Sequence, residues 1–233
     1  MGRVGVLVLV VAAAAVAASV ALAARSPKQL RAAILATASA RHSVHYVSTT
    51  SAAGHAIRIV SDVGRGRGIQ RITVTSGSQS GPATVLVVGG SAYIKGNAFT
   101  LQNFFPFTQS QATRYAGKWI SIPPTSGAYS SVATDTTFAS FLADLVPGKH
   151  LAVVHATVAG RKSVGLRGTV RQANLTLVET VYAPASGKPL PFEEKAIAKG
   201  VPGSSVARMS RWNEAVHVTA PPNAVPIATV LGH

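Results

Sequence analysis

Cysteine is absent from all 233 residues. Disulfide staples, thiolate metal sites, thiol nucleophiles and thiol-linked lipid anchors are therefore excluded. Acidic residues are nearly as scarce, with 7 Asp and Glu against 22 Lys and Arg. The single adjacent pair, Glu193-Glu194, falls in a segment with strand periodicity. Neighbours on a strand point to opposite faces, so this pair is unable to act as a general acid/base couple and is expected to be solvated strand charge.

Other chemistry fails on spacing. His42 and His45 lack the acidic partner of a zinc-protease helix, and His150 and His155 differ in facing, so no metal site is expected. In "GSQSG" at 77–81, Gln79 stands where a nucleophile elbow requires serine. "GRGRG" at 64–68 leads into a strand rather than the helix that a phosphate loop needs. No catalytic residue, cofactor or metal ligand is assigned, and the protein reads as a non-enzyme.

What the chain has in excess is positive charge, formally +15. Such a balance favours polyanionic surroundings such as anionic headgroups, a membrane surface or envelope polymer. The basic residues gather in two hairpins, Arg58, Arg65, Arg67 and Arg71 in one and Arg161, Lys162, Arg167 and Arg171 in the other. Aromatic residues do not interleave with them, so a stacking platform for nucleic acid is not indicated. Arg58, Arg65, Arg67, Arg71, Arg167 and Arg171 are the candidates for contact with an anionic headgroup or polymer.

The N-terminus carries Arg3, an uncharged run from Val4 to Ala24, and the small-residue pattern Ala21-Leu22-Ala23. This is the layout of a signal peptide over 1–24, or of an uncleaved anchor. Both alternatives place the folded part outside the cytoplasm. Residues 25–222 then form a single domain, followed by a proline-rich, extended tail over 223–233.

Ser26-Pro27 reads as a helix N-cap with proline at the first helical position, and Leu30, Ala33, Ile34 and Ala38 share one face of the helix it opens. Residues 43–95 change to strand period, with turn signals at Ala53-Gly54-His55, 64–68 and 76–82. Helical pattern returns over 97–146, capped in its second half by Asp135 or Thr136 and stopped by Pro147-Gly148. From His150 the strand period resumes. The order is helix, meander, helical insert, meander, an α+β arrangement in which both meanders are halves of one antiparallel sheet.

The insert holds Phe99, Phe104, Phe105, Phe107, Phe138 and Phe141, six of the chain's seven phenylalanines. Phe138, Phe141, Leu142 and Leu145 follow the i, i+3, i+4, i+7 rule of a single apolar stripe. Such a stripe either fills a core or lines a cavity.

Taken in order, "GGSAYIKG" (89–96), "AGKWISIP" (116–123), "PASGKPLPFEEKAI" (184–197) and "APP" (220–222) resemble the LppX/LprG-type envelope lipoproteins of mycobacteria and relatives, which share the LolA-like fold. The resemblance implies a strongly curved antiparallel half-open barrel with helices on its concave face. It also implies an apolar cavity that in relatives holds acyl chains of lipids or glycolipids. Carried onto this chain, the cavity residues are Phe99, Leu101, Phe104, Phe105, Phe138, Phe141, Leu142 and Leu145. The expected partner is a lipid or glycolipid bound by a monomer, with a closed-core cationic protein that binds envelope polyanions as the alternative. One feature departs from the family: Arg25 follows "LAA", so the lipobox cysteine is missing.

Overall fold

The computed structural model describes residues 25–105, 107–134, 136–172 and 175–232. The signal or anchor expected over 1–24 and the capping candidate Asp135 lie outside the described residues.

Helix α1 (Pro27–Ser39) starts as the sequence requires. The Ser26 side chain accepts from the Gln29 backbone while Gln29 reaches back to the Ser26 N–H, a reciprocal capping box. Leu30, Ile34 and Ala38 are its buried face. Five strands follow: β1 (Ser43–Ala52), β2 (His55–Gly64), β3 (Arg67–Ser76), β4 (Gln79–Val88) and β5 (Ser91–Gly96), each paired antiparallel with the next.

The insert consists of short pieces: α2 (Ala98–Asn103), α3 (Gln109–Tyr115), the strand β6 (Ile120–Ile122), α4 (Tyr129–Ala133) and α5 (Phe138–Asp144). Thr137, rather than Asp135 or Thr136, caps α5, because its hydroxyl accepts from the Ser140 N–H. Thr136 is fully buried instead. The second meander is β7 (Lys149–Val158), β8 (Arg161–Gln172), β9 (Leu175–Pro184), β10 (Glu193–Ala198) and β11 (Gly203–Ser210).

The tail is not extended throughout. Val225–Pro226 (β12) pairs parallel with β6, and α6 (Ile227–Leu231) buries Ile227 and Val230 beside it. Proline at 226 is tolerated because this strand ends the sheet, where one side of the ladder is unpaired.

All strands belong to one 12-stranded sheet in the order β12-β6-β5-β4-β3-β2-β1-β11-β10-β9-β8-β7. The sheet is curved and does not close. Its first and last halves join where β1 pairs with β11, from His45 opposite Ser210 to Ala52 opposite Gly203. The expected α+β half-barrel with helices on the concave face is what the chain adopts. Among the described residues no helix is long and apolar enough to cross a membrane.

Two buried clusters fill the concave side. One gathers Ile72, Val85, Val87, Ile94, Ile120 and Ile122 of the sheet under Leu101, Phe105 and Phe107. The other gathers Val44, Tyr46, Val63, Val164 and Leu166 under α1 and the Phe138–Phe141 face of α5. Gly68 of β3 lets the chain before α5 lie directly on the sheet, since a Cβ there would stand 1.9 Å from the Thr136 carbonyl oxygen. Gly68→Ala is expected to lose about 1–3 kcal/mol by overpacking. Gly127→Ala, where a Cβ meets nothing within 4 Å, serves as the control and is expected to leave the urea midpoint unchanged.

Candidate functional site: the concave face of the sheet

Strand alternation and the ladder register decide which side chains face the helices. Tyr46 and Val63 are buried in the helix-side cluster. From them the register carries the concave face along Ser48 and Thr50 of β1, Ile57 and Ile59 of β2, and Ser205 and Ala207 of β11. It continues through Glu194 and Ala196 of β10, Leu177 and Glu179 of β9, and Gly168 and Val170 of β8.

One cross-strand row runs Gly168, Glu179, Ala196, Ser205, Thr50, Ile57. Small side chains dominate it, and its part-exposed middle at Thr50 and Ser205 is the trough; at the β8 end Pro147, Leu151 and the Lys149 carbonyl oxygen fill the space over Gly168. Near the trough, inward-facing apolar groups are only half-buried: Ile57, Ile59, Val170, Leu177 and Ala207 on the sheet, and Val132 and Leu142 on the helices. Ile59 packs against both clusters and marks the seam between them. At the same end of the strands Leu175, Ile197 and Val201 are exposed, at 42%, 60% and 45%.

Seven of the eight residues singled out from the insert divide between the two clusters. Leu101 and Phe105 are buried in the first and Phe99 packs against it, whereas Phe138, Phe141 and Leu145 are buried in the second with Leu142 half-buried at its side. Phe104 lies just past the end of α2 and is 38% exposed, its ring edge-on to Phe105 at 5.3 Å.

Phe141 stacks on Tyr46 at 5.6 Å and on Phe138 at 6.2 Å, and Trp212 closes the group edge-on at 5.9 Å from Phe141. These rings satisfy one another as core. Trp212 was not singled out in the sequence. It reaches the cluster through a turn in which Arg211 and Asn213 both take positive φ, 47° and 69°.

The arginine candidates occupy the opposite face. Arg58, Arg67 and Arg71 alternate with the inward residues of β2 and β3, Arg167 and Arg171 do so on β8, and Arg65 lies in the β2–β3 turn. All five strand arginines project from the convex side. Glu193 is there too, but it is not solvated. It is 2% exposed and bonds Lys195 at 3.2 Å and Arg208 at 3.0 Å.

A small cleft of about 180 Å³ lies at the end of this face, where Asp62 meets His45 at 2.7 Å and Arg211 at 3.0 Å. A second, shallow groove of about 400 Å³ runs past Pro82, Lys95 and Trp119 at the margin of the insert. Among the described residues no three His, Asp or Glu side chains converge as a metal site.

Glu179 is the inward residue that sequence reasoning missed. It is 6% exposed, and its Oε1 is buried without a hydrogen-bond partner. Burial, and secondarily the Asp144 carboxylate, push its pKa from 4.5 up to about 7. The signal was present in "LTLVETVYA", where an acid interrupts the apolar set Leu177, Val181, Ala183 at period two.

The architecture, a half-open barrel with a partly covered concave floor and no catalytic constellation among the described residues, is that of the LolA-like fold. No known protein family and no curated protein matches the chain at the level of sequence. Among solved structures it is similar to LprF from Mycobacterium bovis, with a TM-score of 0.53 and 13% identity over 84% of this chain and 96% of that one. It is also similar to the lipoprotein LppX from Mycobacterium tuberculosis, with a TM-score of 0.49 and 18% identity over 83% of this chain and 100% of that one. At this identity the likeness to LprF shows the shared fold alone.

A carboxyl whose folded pKa is raised binds its proton more tightly folded than unfolded. Its contribution to stability is complete below the unfolded value and is lost as pH rises through about 7. Between pH 5 and pH 8 the wild type is expected to lose on the order of 2–3 kcal/mol that Glu179→Gln does not lose. Urea midpoints of both proteins at the two pH values measure this, and an identical pH dependence would show that Glu179 ionises freely.

Proposed function

We propose that the protein is a non-enzymatic, extracytoplasmic lipid-binding or carrier protein that lays acyl chains along the concave trough between sheet and helices. The observation that carries this reading is the set of inward-facing apolar side chains left half-buried. In a closed core Ile57, Ile59, Leu142, Val170 and Leu177 would be sealed, because interiors pack without voids. Here each keeps partial exposure on the inner surface of a curved sheet. Covering such surface with hydrocarbon stabilises a complex by roughly 0.8 kcal/mol per buried methylene, so two acyl chains bind firmly without any chemistry.

The exposed Leu175 and Val201 lie on the hairpins at one end of the trough, where a chain leaving a membrane would arrive, with Ile197 exposed beside them on the convex side. The fold shared with LprF is compatible with this use. The trough replaces the phenylalanine stripe as the binding surface in this reading, and Phe138 and Phe141 support it from beneath the helices. The domain over 25–222 and the exported location belong to the same reading.

The convex face favours a second, separate contact. Its outward arginines, Arg58, Arg71, Arg167 and Arg171, form a cationic sheet surface suited to an anionic membrane or envelope polymer. Contact of that kind weakens with salt, while an enclosed lipid does not.

Native mass spectrometry of protein purified from its own host, with solvent extraction, is expected to show lipid adducts. Ala207→Trp, which fills the trough beside Ser48 and Glu194, is expected to lower binding of a fluorescent acyl lipid about tenfold or more while the circular dichroism stays native. Unchanged binding in that folded variant would place the ligand elsewhere. Bare polypeptide mass together with no lipid uptake would sink the carrier reading.

A further inference from the structure

The groove that runs past Pro82, Lys95 and Trp119 lies on the outer face of the sheet, away from the trough. The ladder register builds it. Arg71 pairs with Thr84 and Thr84 with Lys95, all on the outward side. Ile94 pairs with Ile120, so Trp119 falls beside Lys95 at the head of β6, with Lys95 Nζ 5.7 Å from its ring centroid. Gly117 lines the same groove and leaves open space where a side chain would stand. The volume of about 400 Å³ falls within the range of small-molecule sites, roughly 300–1,000 Å³.

Two observations point to a ligand. The first is a set of polar groups around the groove that lack partners among the described residues. The Thr84 hydroxyl and the Trp119 Nε1–H make no hydrogen bond, and Lys95 meets the indole but no acid. Asn97 Oδ1 accepts from the Thr100 N–H at 2.9 Å, which leaves its Nδ2 as a donor. The second is charge. Between Asp62 and Asp135 the sequence holds no acid, while Arg114 and Lys118 stand over Tyr115 at 5.6 and 5.5 Å, just ahead of Trp119. Asp62, on the same face of β2, is two strands from Thr84 and is already held by His45, Arg71 and Arg211.

We propose that this groove binds an acidic saccharide unit, a pyranose ring that carries a carboxylate or a phosphate. The inference rests on the reading of the outer face as a polyanion contact and is independent of the lipid trough. A pyranose presents a flat array of electron-poor C–H bonds, which suits the electron-rich face of an indole. Its hydroxyls both donate and accept, so they satisfy Thr84, Asn97 Nδ2 and the indole N–H together. The acidic substituent takes the Lys95 ammonium in a charge-assisted bond and draws it off the ring face that the sugar then covers. A hydrocarbon chain would cover the indole but leave the donors and the ammonium unpaired. A polyanion without a ring would pair Lys95 and leave the indole bare.

The test uses oligoglucuronate, glucose 6-phosphate, the neutral maltotriose, and polyglutamate as a polyanion without a sugar ring. Binding is read by titration calorimetry and by tryptophan fluorescence. One or both acidic saccharides are expected to bind about tenfold or more tightly than maltotriose, and the stronger of the two identifies the acid. Trp119→Ala is expected to weaken that binding about tenfold, while Trp119→Phe keeps most of it. Lys95→Gln is expected to bring acidic and neutral saccharides to within about threefold. Lys95 is exposed, so this variant keeps the test open if Trp119→Ala fails to fold.

Polyglutamate that matches the acidic saccharides, or affinity that ignores both Lys95→Gln and the Trp119 variants, reduces the outer face to a diffuse charge contact and overturns the saccharide site. Binding of phosphatidylglycerol vesicles but of no saccharide overturns it in favour of a membrane contact. If neither the four probes nor the vesicles bind, the polyanion reading of the outer face falls as well. The trough reading is untouched by each of these outcomes.

Discussion

The pairing of β1 with β11 is the contact on which the rest of the structure depends. It brings Thr50 to Ser205, 155 residues away in sequence, and turns two separate meanders into one sheet. Closing so long a loop is entropically unfavourable, and only a long ladder offsets it. The eight paired positions from His45–Ser210 to Ala52–Gly203 supply that ladder. Once joined, the sheet curves under its own twist and creates a concave side that the chain has to cover. The helices that cover it are short, α1 being 13 residues and the others 5 to 7. Partial cover is the direct result, and the trough lies along the joining strands themselves.

The alternation of charge across the sheet follows from the same geometry. A strand residue faces either the helices or the outside, so the register that places Val164 and Leu166 inward sends Arg161, Arg167 and Arg171 outward. The outer face tolerates dense positive charge because it is hydrated and because Glu193 ties Lys195 and Arg208 together. Asp62 does the same for Arg71 and Arg211 at 3.9 and 3.0 Å. Positive charge is thus dense on the outer face of the sheet, although Lys28 and Arg31 of α1 and the inward position of Lys162 carry it on the other side as well.

Much of this was legible in the sequence, and the parts that were not share a cause. The Ser26-Pro27 helix start, the two meanders and the helical insert are local signals, and the structure follows them. The resemblance in motif order supplied the curvature and the concave placement of helices, which no periodicity encodes. The docking of Ile227 and Val230, the insertion of Trp212 and the seating of Thr136 against Gly68 depend on partners distant in sequence, whereas the Thr137 cap is a local capping box with Ser140. Val225, for example, becomes a strand residue only because the edge of β6 stands open beside it. The Phe138 to Leu145 stripe was legible as apolar, but whether it lined a cavity depended on Tyr46 and Trp212 reaching it from elsewhere.

Glu179 shows how a break in a pattern outweighs the pattern. Its strand is otherwise apolar on the inward side, with Leu177 and Val181 to either side of it. A carboxyl there loses hydration, leaves its Oε1 without a hydrogen bond and faces the Asp144 charge. Its ladder neighbours are a glycine and an alanine, and the space over Gly168 is filled by Pro147, Leu151 and the Lys149 carbonyl oxygen. The aromatic rings beneath α5 meet one another and need nothing further, whereas Glu179 Oε1 meets no hydrogen-bond partner among the described residues. One acid that breaks an apolar alternation thus reveals more about where the fold is locally destabilised than its most hydrophobic stretch does.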